Sequence, residues 1–403
     1  MILIPVLIII AIIVAKVRNG MFFAFLILVA TKSIMDAFWN IRLGSLSFSS
    51  FGGILIPALF YPVLLKKKYF PKFWRMNATF LILSLSLGLI WALPVNLAST
   101  IENVLLNFNI YLGFFLIPML VTDRRKLKQL LIAIIIGGLF PIIVSLFQFQ
   151  TGIIFYTRET VGLTRYVGFY HDAFPVRFYG FMTLLAVLMY FQFFKPEKFL
   201  KYFLFGVGFS ALFSVYLVFS KAGVGITGLW IALIMLFSKS KVKQTFAIFL
   251  TLVIMYIILG DVVFDNIEQL FSKETSYQTG EIKDARYTLA GRGYVWQGYW
   301  DYWTNEQSTF FQIFGDGLSR PTHNEFLRIL LLSGIIGVVT FVFFIFRMFR
   351  SVFIANREFK LFGLMLLVMF VVDCTGLTPG DFYYYNILIW GLVGLISLNK
   401  SLE

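Results

Sequence analysis

Long apolar runs recur along almost the whole chain, and they constrain its fold more than any other feature. A helix that crosses a bilayer needs about 20 mostly apolar residues, and only helices or closed barrels satisfy the backbone inside lipid. About thirteen candidate runs occur, at 2–15, 21–38, 50–65, 78–95, 105–121, 128–148, 175–194, 201–218, 222–238, 244–260, 325–346, 359–375 and 382–398. The sequence therefore predicts an all-α polytopic integral membrane protein with about 12–13 transmembrane helices.

Composition supports the same class. Hydrophobic residues make up 59% of the 403 positions and charged residues only 13%, against about 45–50% apolar residues in soluble domains. The net charge of +14 has no soluble domain to carry it, so we predict no nucleic-acid partner. The single Cys374 lies in a predicted span, and the chain has only two histidines. We therefore expect no disulfide, no metal site and no cofactor.

The distribution of lysine and arginine predicts the orientation of the spans. Basic clusters lie at 66–75, 124–128, 195–201, 239–243 and 347–360, each separated from the next by two spans. Loops rich in Lys and Arg stay in the cytoplasm, so all five agree with one orientation. The loops predicted on the outer face are 96–108, 149–174, the turn at Ser220 and Lys221, 261–324 and 376–381. The chain is thus divided into helices in 1–260, one long outer loop with amphipathic helices in 261–324, and the last spans in 325–403.

Several basic residues remain on the outer side, where the charge rule disfavours them. The ionisable groups placed there are Arg158, Arg165, His171, Asp172, Arg177, Lys221, Arg286, Arg292, Arg320 and His323. For Arg158 and Arg286, contact with lipid headgroups is the favoured interpretation. For Arg165, Lys221 and Arg292, the surrounding motifs favour a bound anion, and the phosphate or diphosphate of a lipid carrier is the obvious outward-facing anion.

The stretch from Gly291 to Gly337 combines aromatic, turn and ionisable residues at a membrane boundary. Trp296, Trp300 and Trp303 fall at i, i+4 and i+7, so a helix places them on one face. Such a face is more typical of an anchor at the headgroup level than of a sugar platform. Polar groups at the edge of an apolar span are the first place to expect chemistry.

Four local patterns resemble the O-antigen polymerase and O-antigen ligase superfamily. They are T-R-Y-V-G-F-Y-H-D-A-F-P from Thr164, V-F-S-K-A-G from Val218, A-G-R-G-Y-V-W from Ala290 and G-D-G-L-S-R-P-T-H-N-E-F-L-R-I-L-L-L-S-G-I-I-G from Gly315. The last two occur in the family's order and are the more specific. The resemblance covers roughly residues 160–345.

The resemblance implies roles for particular residues. His323, Arg292 and Lys221 are expected to be catalytic, and the chain has Lys221 where the family usually has arginine. A lysine there neutralises a phosphate but lacks the two-pronged guanidinium. Arg165 is also implied, as a residue that binds the diphosphate. The other residues expected to bind the diphosphate or sugar lie in the boundary stretch from Gly291 to Gly337 and are Arg320, Asn324, Glu325 and Trp296.

The resemblance also implies a reaction and a location. We expect a metal-independent membrane glycosyltransferase that moves a saccharide from an undecaprenyl diphosphate carrier to an acceptor hydroxyl, at the outer face of the bacterial inner membrane. The transfer is expected to be direct, without a covalent enzyme intermediate. Expected partners are the lipid-linked oligosaccharide, the bilayer and, as further candidates, a chain-length regulator or a flippase.

Several alternatives remain open at this level. A polymerase is favoured over a ligase that uses a lipid A core, and a transporter of lipid-linked saccharides is the alternative from another class. His323 is either the base or part of a helix cap, and Glu325 either pairs with Arg328 or acts as the base. Lys32 and Asp36, four residues apart in one span, are expected to neutralise each other.

Overall fold

The computed structural model describes residues 19–43, 46–47, 86–237, 249–251, 253–254, 256–257 and 260–398. The predicted spans 2–15 and 50–65 lie outside these residues. The predicted spans 78–95 and 244–260 are described only in part.

The described residues are mostly helical. The helices are α1 (Gly20–Ala37), α2 (Leu89–Ala92), α3 (Leu97–Leu120), α4 (Arg124–Thr151), α5 (Ala173–Phe193), α6 (Lys198–Leu217), α7 (Lys221–Phe237), α8 (Val262–Leu270), α9 (Ser272–Gln278), α10 (Arg292–Asp301), α11 (Thr309–Phe314), α12 (Glu325–Ile354), α13 (Arg357–Gly376) and α14 (Tyr383–Leu398). Short 3₁₀ turns occur at Ala285–Tyr287, Leu289–Gly291 and Pro379–Asp381, and a π turn at Tyr302–Glu306. Two antiparallel hairpins pair β1 (Arg42–Leu43) with β2 (Leu46–Ser47) and β3 (Glu159–Thr160) with β4 (Leu163–Thr164).

Six of the described helices are long and apolar enough to cross a membrane: α1, α4, α5, α6, α12 and α13. Two more, α7 and α14, are apolar but shorter. This architecture agrees with the predicted all-α polytopic membrane class. Six of these eight helices begin and end within three residues of the predicted spans, and α4 and α12 extend further. Residues 261–324 contain the short helices α8 to α11 instead of a span.

Several helices extend further than their apolar runs. α4 begins at Arg124 and α12 continues to Ile354, so basic residues that were predicted in loops lie on helical ends. The Asp123 side chain caps α4 by accepting the N–H of Lys126 at 2.8 Å. A helix can cross the edge of the apolar layer because its backbone bonds are internal and its lysines and arginines reach toward water.

One prediction between residues 86 and 108 is wrong. The predicted loop 96–108 is helical, because α3 begins at Leu97. Polar residues are accommodated there by bonds to the helix itself, as when Thr100 Oγ1 donates to the Asn96 carbonyl at 2.8 Å. The predicted span 78–95 is described only from residue 86, where the chain is helical at 86 and in α2, with a turn at 87–88 and another after Ala92, around Pro94.

The core is formed where the apolar helices pack closely. α14 lies against α3, α5 lies between α4 and α6, and α13 contacts α7 and α12. Small residues permit the closest of these contacts. A Cβ added at Gly113 of α3 would lie 2.6 Å from the Ile387 Cα of α14. Glycine at such a crossing lets two backbones approach, as in helix pairs inside membranes.

A buried charge pair in α1 is built into this packing. Lys32 forms an ion pair with Asp36, and only 3% of the lysine side chain is exposed. The Tyr179 hydroxyl of α5 donates to Asp36 at 2.6 Å. The predicted pairing is therefore confirmed, and it joins α1 to α5.

α12 is interrupted at Gly334, whose φ of 65° and ψ of −167° are not helical. The Leu331 carbonyl accepts the N–H of Asp316 at 3.0 Å, and the Leu332 carbonyl accepts that of Gly317 at 3.2 Å. The N–H groups of Asp316 and Gly317, after α11, thus replace the helical N–H groups that these two carbonyls lose at the interruption. This contact fixes the loop 315–324 against α12 and so positions the residues that follow it.

We expect Gly334→Ala to destabilise the protein by about 3 kcal/mol or more, since a Cβ there combines a left-handed φ with overlap on the backbone of α11. The Cβ would meet the Ile313 carbonyl, with the Phe314 nitrogen also close. Thermal unfolding in detergent, followed by size-exclusion chromatography, measures the effect. Gly225→Ala in α7 is the matched control, because a Cβ there meets no atom of the described part of the chain within 4 Å. Equal stability of the two variants would contradict the structural role assigned to the interruption.

Candidate functional site

Two arginines from different elements converge on the turn that precedes α7. Arg165 follows β4, and its Nη2 donates to the Phe219 carbonyl at 3.3 Å. Arg177 lies in the second turn of α5, and its Nη1 donates to the Ser220 hydroxyl at 2.8 Å. The Nε atom of each arginine is buried and has no hydrogen-bond partner among the described residues. Unsatisfied N–H donors on buried guanidinium groups are costly unless a ligand completes them.

A third arginine, Arg292, begins α10 and approaches the same place. A Cβ added at Gly376, the last residue of α13, would lie 2.8 Å from its Nη1, so the glycine leaves room for the guanidinium. Its charge interacts with those of Asp172 and Arg177. Within the described ranges, Arg292 makes no side-chain hydrogen bond or ion pair. We refer to Arg165, Arg177 and Arg292 as the arginine cluster.

Two carboxylates partly balance the arginine cluster. Asp172 caps α5 by accepting the Ala173 N–H at 2.7 Å and acts on Arg165 and Arg292 through its charge. Burial lowers the pKa of both guanidinium groups, and the Asp172 carboxylate partly offsets that effect. Arginine nevertheless keeps its proton at neutral pH. The three arginines carry three positive charges, and Asp172 and Asp373 together carry two negative charges. The remaining positive charge favours binding of an anion.

Asp373 of α13 is the second carboxylate and is fully buried. It forms an ion pair with Arg177 and accepts the Tyr385 hydroxyl of α14 at 2.8 Å. Side-chain exposure is 5% for the arginine and 2% for the aspartate. The pair therefore joins α5, α13 and α14 beneath the site and sets the direction of the Arg177 side chain.

Removing one partner of this pair should be strongly destabilising. We expect Asp373→Ala to cost about 3–5 kcal/mol, because it leaves the Arg177 charge buried and unpaired. The double variant Arg177→Met with Asp373→Leu should recover most of the stability. Thermal unfolding of the single and double variants measures both effects. Asp284→Ala, which removes the half-buried partner of the exposed Arg286, is the control and should change stability little. A double variant as unstable as the single one would contradict this account.

Lys221 lies beside the arginine cluster but already has a carboxylate partner. Its Nζ donates to both side-chain oxygens of Glu274 in α9, at 2.6 and 2.5 Å. Side-chain exposure is 21% for the lysine and 24% for the glutamate. The predicted catalytic lysine is therefore near the cluster, because it follows Phe219 and Ser220 directly, but its ammonium is neutralised in this structure.

The turn containing His323 is joined to α10 through a tryptophan. Trp296 Nε1 donates to the Thr322 carbonyl at 3.0 Å, and Trp296 is one helical turn after Arg292. His323 has φ of 51°, and its imidazole is exposed, with no hydrogen-bond partner in the described part of the chain. Asn324 is the residue that caps α12, since its side chain accepts the Leu327 N–H at 3.0 Å. The imidazole is thus not used for capping.

Two other predicted binding residues are engaged in ion pairs. Glu325 is 1% exposed and bonds Arg328 at 2.6 and 3.0 Å, so the pairing alternative is the one observed. Its buried carboxylate is not open to an acceptor hydroxyl. Arg320 pairs with Asp316 at 2.7 Å and lies over the Tyr302 ring at 4.8 Å. Burial would lower the pKa of Arg320, but the Asp316 carboxylate outweighs it and raises that pKa.

An apolar groove of about 760 Å³ lies between α10 and α12. Trp296, Trp300 and Trp303 contribute to one wall, and apolar residues of α12 such as Leu327 and Val338 form the other. The predicted helical face is therefore observed, and in this structure it faces α12. The groove begins at Asn324, beside the His323 turn, and runs along the apolar helix.

Sequence reasoning missed the residues that balance the cations. The sequence places Arg177 and Asp172 on the outer side without a role, and it assigns nothing to Asp373 and Glu274. A signal existed for two of them, because Arg177 and Asp373 are opposite charges inside separate predicted spans, where pairing is the common outcome.

No protein-family model matches the chain, and a search of the curated proteins finds no significant match.

Proposed function

We propose that the protein is a membrane glycosyltransferase that uses a polyprenyl diphosphate-linked saccharide as donor and a sugar hydroxyl as acceptor. The observation that carries the proposal is the arginine cluster, with its unsatisfied buried N–H donors, and the hydrogen bond of Trp296 that ties the turn of the exposed His323 to the helix begun by Arg292. Guanidinium groups are the preferred protein ligands of phosphate oxygens. The motifs that resemble the O-antigen polymerase and ligase superfamily include two members of the cluster and the histidine.

The residues suit a direct transfer. The acceptor oxygen attacks the anomeric carbon of the donor, a carbon–oxygen bond forms, and the bond from that carbon to the diphosphate breaks with its electron pair going to the diphosphate. The arginine cluster neutralises the charge that grows on the departing diphosphate. The His323 imidazole takes the acceptor proton. Holding both substrates in this geometry supplies a further part of the rate enhancement.

The groove suits the apolar chain of a lipid-linked substrate. Its volume of about 760 Å³ falls within the usual range of about 300–1,000 Å³ for ligand sites. Leu330, Ile335 and Val339 give the α12 wall an apolar surface, and the polar groups Gln297 and Asp301 lie on the α10 side. A prenyl chain lying there would end next to Asn324 and the His323 turn.

We propose about 12–13 transmembrane helices in a bacterial inner membrane, with residues 261–324 and the arginine cluster on the outer, periplasmic side. The five basic clusters of the sequence support this orientation. A flippase that delivers the donor and a chain-length regulator are the expected protein partners. Undecaprenyl diphosphate is the expected carrier.

Polymerase is favoured over ligase, and a transporter is the candidate from another class. The interrupted helix α12 is a feature that transporters also use. Here, however, the freed carbonyls are occupied by the backbone of Asp316 and Gly317. That arrangement fixes a loop beside the site, which an enzyme needs to position a base.

Transfer by the purified protein in liposomes tests the function. One reaction contains the polyprenyl diphosphate oligosaccharide alone, a second adds a lipid A core acceptor, and each is repeated with EDTA. Elongated lipid-linked chains without the core acceptor, unaffected by EDTA, are the expected result. Product only with the core acceptor would make the protein a ligase. Movement of the donor across the bilayer without any product would replace the enzyme with a transporter.

A further inference from the structure

The carboxylate of Glu274 accepts hydrogen bonds from groups that could also bind a phosphate. Its Oε1 accepts from Lys221 Nζ at 2.6 Å and from the Leu289 N–H at 2.8 Å, and its Oε2 accepts from Lys221 at 2.5 Å. Burial alone would raise the pKa of Glu274, but these bonds outweigh it and hold the pKa below its usual value. The glutamate is therefore a bound anion supplied by the protein itself.

The donors of this contact lie on both flanks of the arginine cluster. Lys221 directly follows Phe219 and Ser220, the two residues bonded by Arg165 and Arg177. On the other flank, Leu289 precedes Arg292 by three residues. The lysine ammonium thus follows the turn that Arg165 and Arg177 bond, and the leucine N–H belongs to the segment that leads into Arg292.

The segment that supplies the Leu289 N–H is strained. Leu289, Ala290 and Gly291 have φ of 52°, 61° and 77°, so three successive residues are left-handed. Only the glycine adopts that conformation without a steric cost. Backbone strain of this kind persists where the surroundings hold it, and it is concentrated at sites of binding and switching. Glu274 holds this strained segment directly before Arg292.

We propose that Lys221 Nζ and the Leu289 N–H form a subsite for one phosphate group of the lipid-linked saccharide donor. Glu274 fills this subsite until the saccharide donor displaces it. The inference rests on the proposed function and deepens it, because it assigns a competitor within the diphosphate site. The phosphate of the lipid-linked substrate replaces the Glu274 carboxylate and accepts the same hydrogen bonds. Glu274 then leaves with α9, while the Leu289 N–H and the Lys221 ammonium stay occupied. The exchange also limits binding to anions with enough charge to replace a carboxylate.

Binding of inorganic diphosphate to the detergent-purified protein, measured by calorimetry, tests the subsite. Glu274→Gln removes the competing charge, and we expect about tenfold tighter binding, on the scale of one charge-assisted hydrogen bond. Glu281→Gln is the matched control, since Glu281 lies in the same loop and bonds Ser276 instead of Lys221. It should bind as the wild-type protein does. Adding Lys221→Met to Glu274→Gln should remove the gain.

Hydrogen exchange of the wild-type protein is a second measurement that needs no variant. Diphosphate should increase amide exchange in α9, Ser272–Gln278, because Glu274 loses its partners, while the Leu289 amide stays protected by the phosphate. Diphosphate binding that Arg292→Ala abolishes, but that neither tightens in Glu274→Gln nor loosens α9, would overturn the subsite and leave the proposed function intact. Absence of both diphosphate binding and transfer in the wild-type protein would instead overturn the proposed function, and the subsite with it.

Discussion

Arg292→Ala is expected to lower saccharide transfer by about 10²–10³-fold, the usual loss when a group that stabilises developing charge is removed. The guanidinium has room beside Gly376 and, within the described residues, no hydrogen-bonded partner. It is therefore the member of the arginine cluster most available to the departing diphosphate. Because it forms no structural ion pair there, its removal should leave thermal stability close to that of the wild-type protein.

Two further variants separate charge from geometry at this position. Arg292→Lys keeps a positive charge but loses the two-pronged contact with phosphate oxygens, so we expect it to recover only part of the lost activity. Arg286→Ala is the matched control. That arginine lies in the same loop but pairs with Asp284 at 2.6 Å on the surface, and its removal should leave transfer within about twofold, as for a surface group away from the chemistry.

The measurement is the initial rate of transfer with a polyprenyl diphosphate oligosaccharide, at saturating and at low donor concentration. A group that acts on the departing diphosphate should lower kcat as well as kcat/KM. A change in KM alone would assign Arg292 to ground-state binding. Retention of full activity in Arg292→Ala, with Arg286→Ala behaving alike, would remove the main support for the proposed mechanism.

The described spans could be predicted because lipid imposes one rule on every residue of a crossing helix. α5 and α13 differ from their predicted ends by two residues or fewer, since an apolar run of sufficient length has few alternatives in a membrane. The predictions failed at the edges. α3 continues through a polar segment from Leu97, and α12 continues through its arginines to Ile354. Hydropathy does not predict these extensions, because it does not register the backbone hydrogen bonds that a helix makes outside the apolar layer.

The site could be predicted only in part, because local motifs locate its cations but not their partners. Arg165, Arg292 and His323 stand in short patterns that can be read from neighbouring residues. The Arg177–Asp373 pair joins residues 196 positions apart, and that pairing depends on how α5 and α13 pack. The same limit explains Lys221, whose ion pair with Glu274 depends on where α9 folds back.

His323→Ala is expected to lower transfer by about 10²–10⁴-fold, the range for removal of a general base. The imidazole is exposed, beside the cap of α12, and one hydrogen bond joins its neighbour Thr322 to Trp296 of α10. The chain's other histidine supplies a matched control. His171 stacks edge-on against Trp39 at 4.8 Å, and His171→Ala should retain most of the activity.

The left-handed backbone at His323 allows its chemistry to be separated from its conformation. Asparagine tolerates a positive φ better than most residues, so His323→Asn should keep the turn and the stability of the protein while losing the base. Transfer should then fall in His323→Asn as far as in His323→Ala, and added imidazole should restore part of the rate in both. If His323→Asn transfers as fast as the wild-type protein, the histidine only shapes the turn. Deprotonation of the acceptor would then fall to a carboxylate near the cluster, and Asp172 would be the first to replace because Glu325 is buried against Arg328.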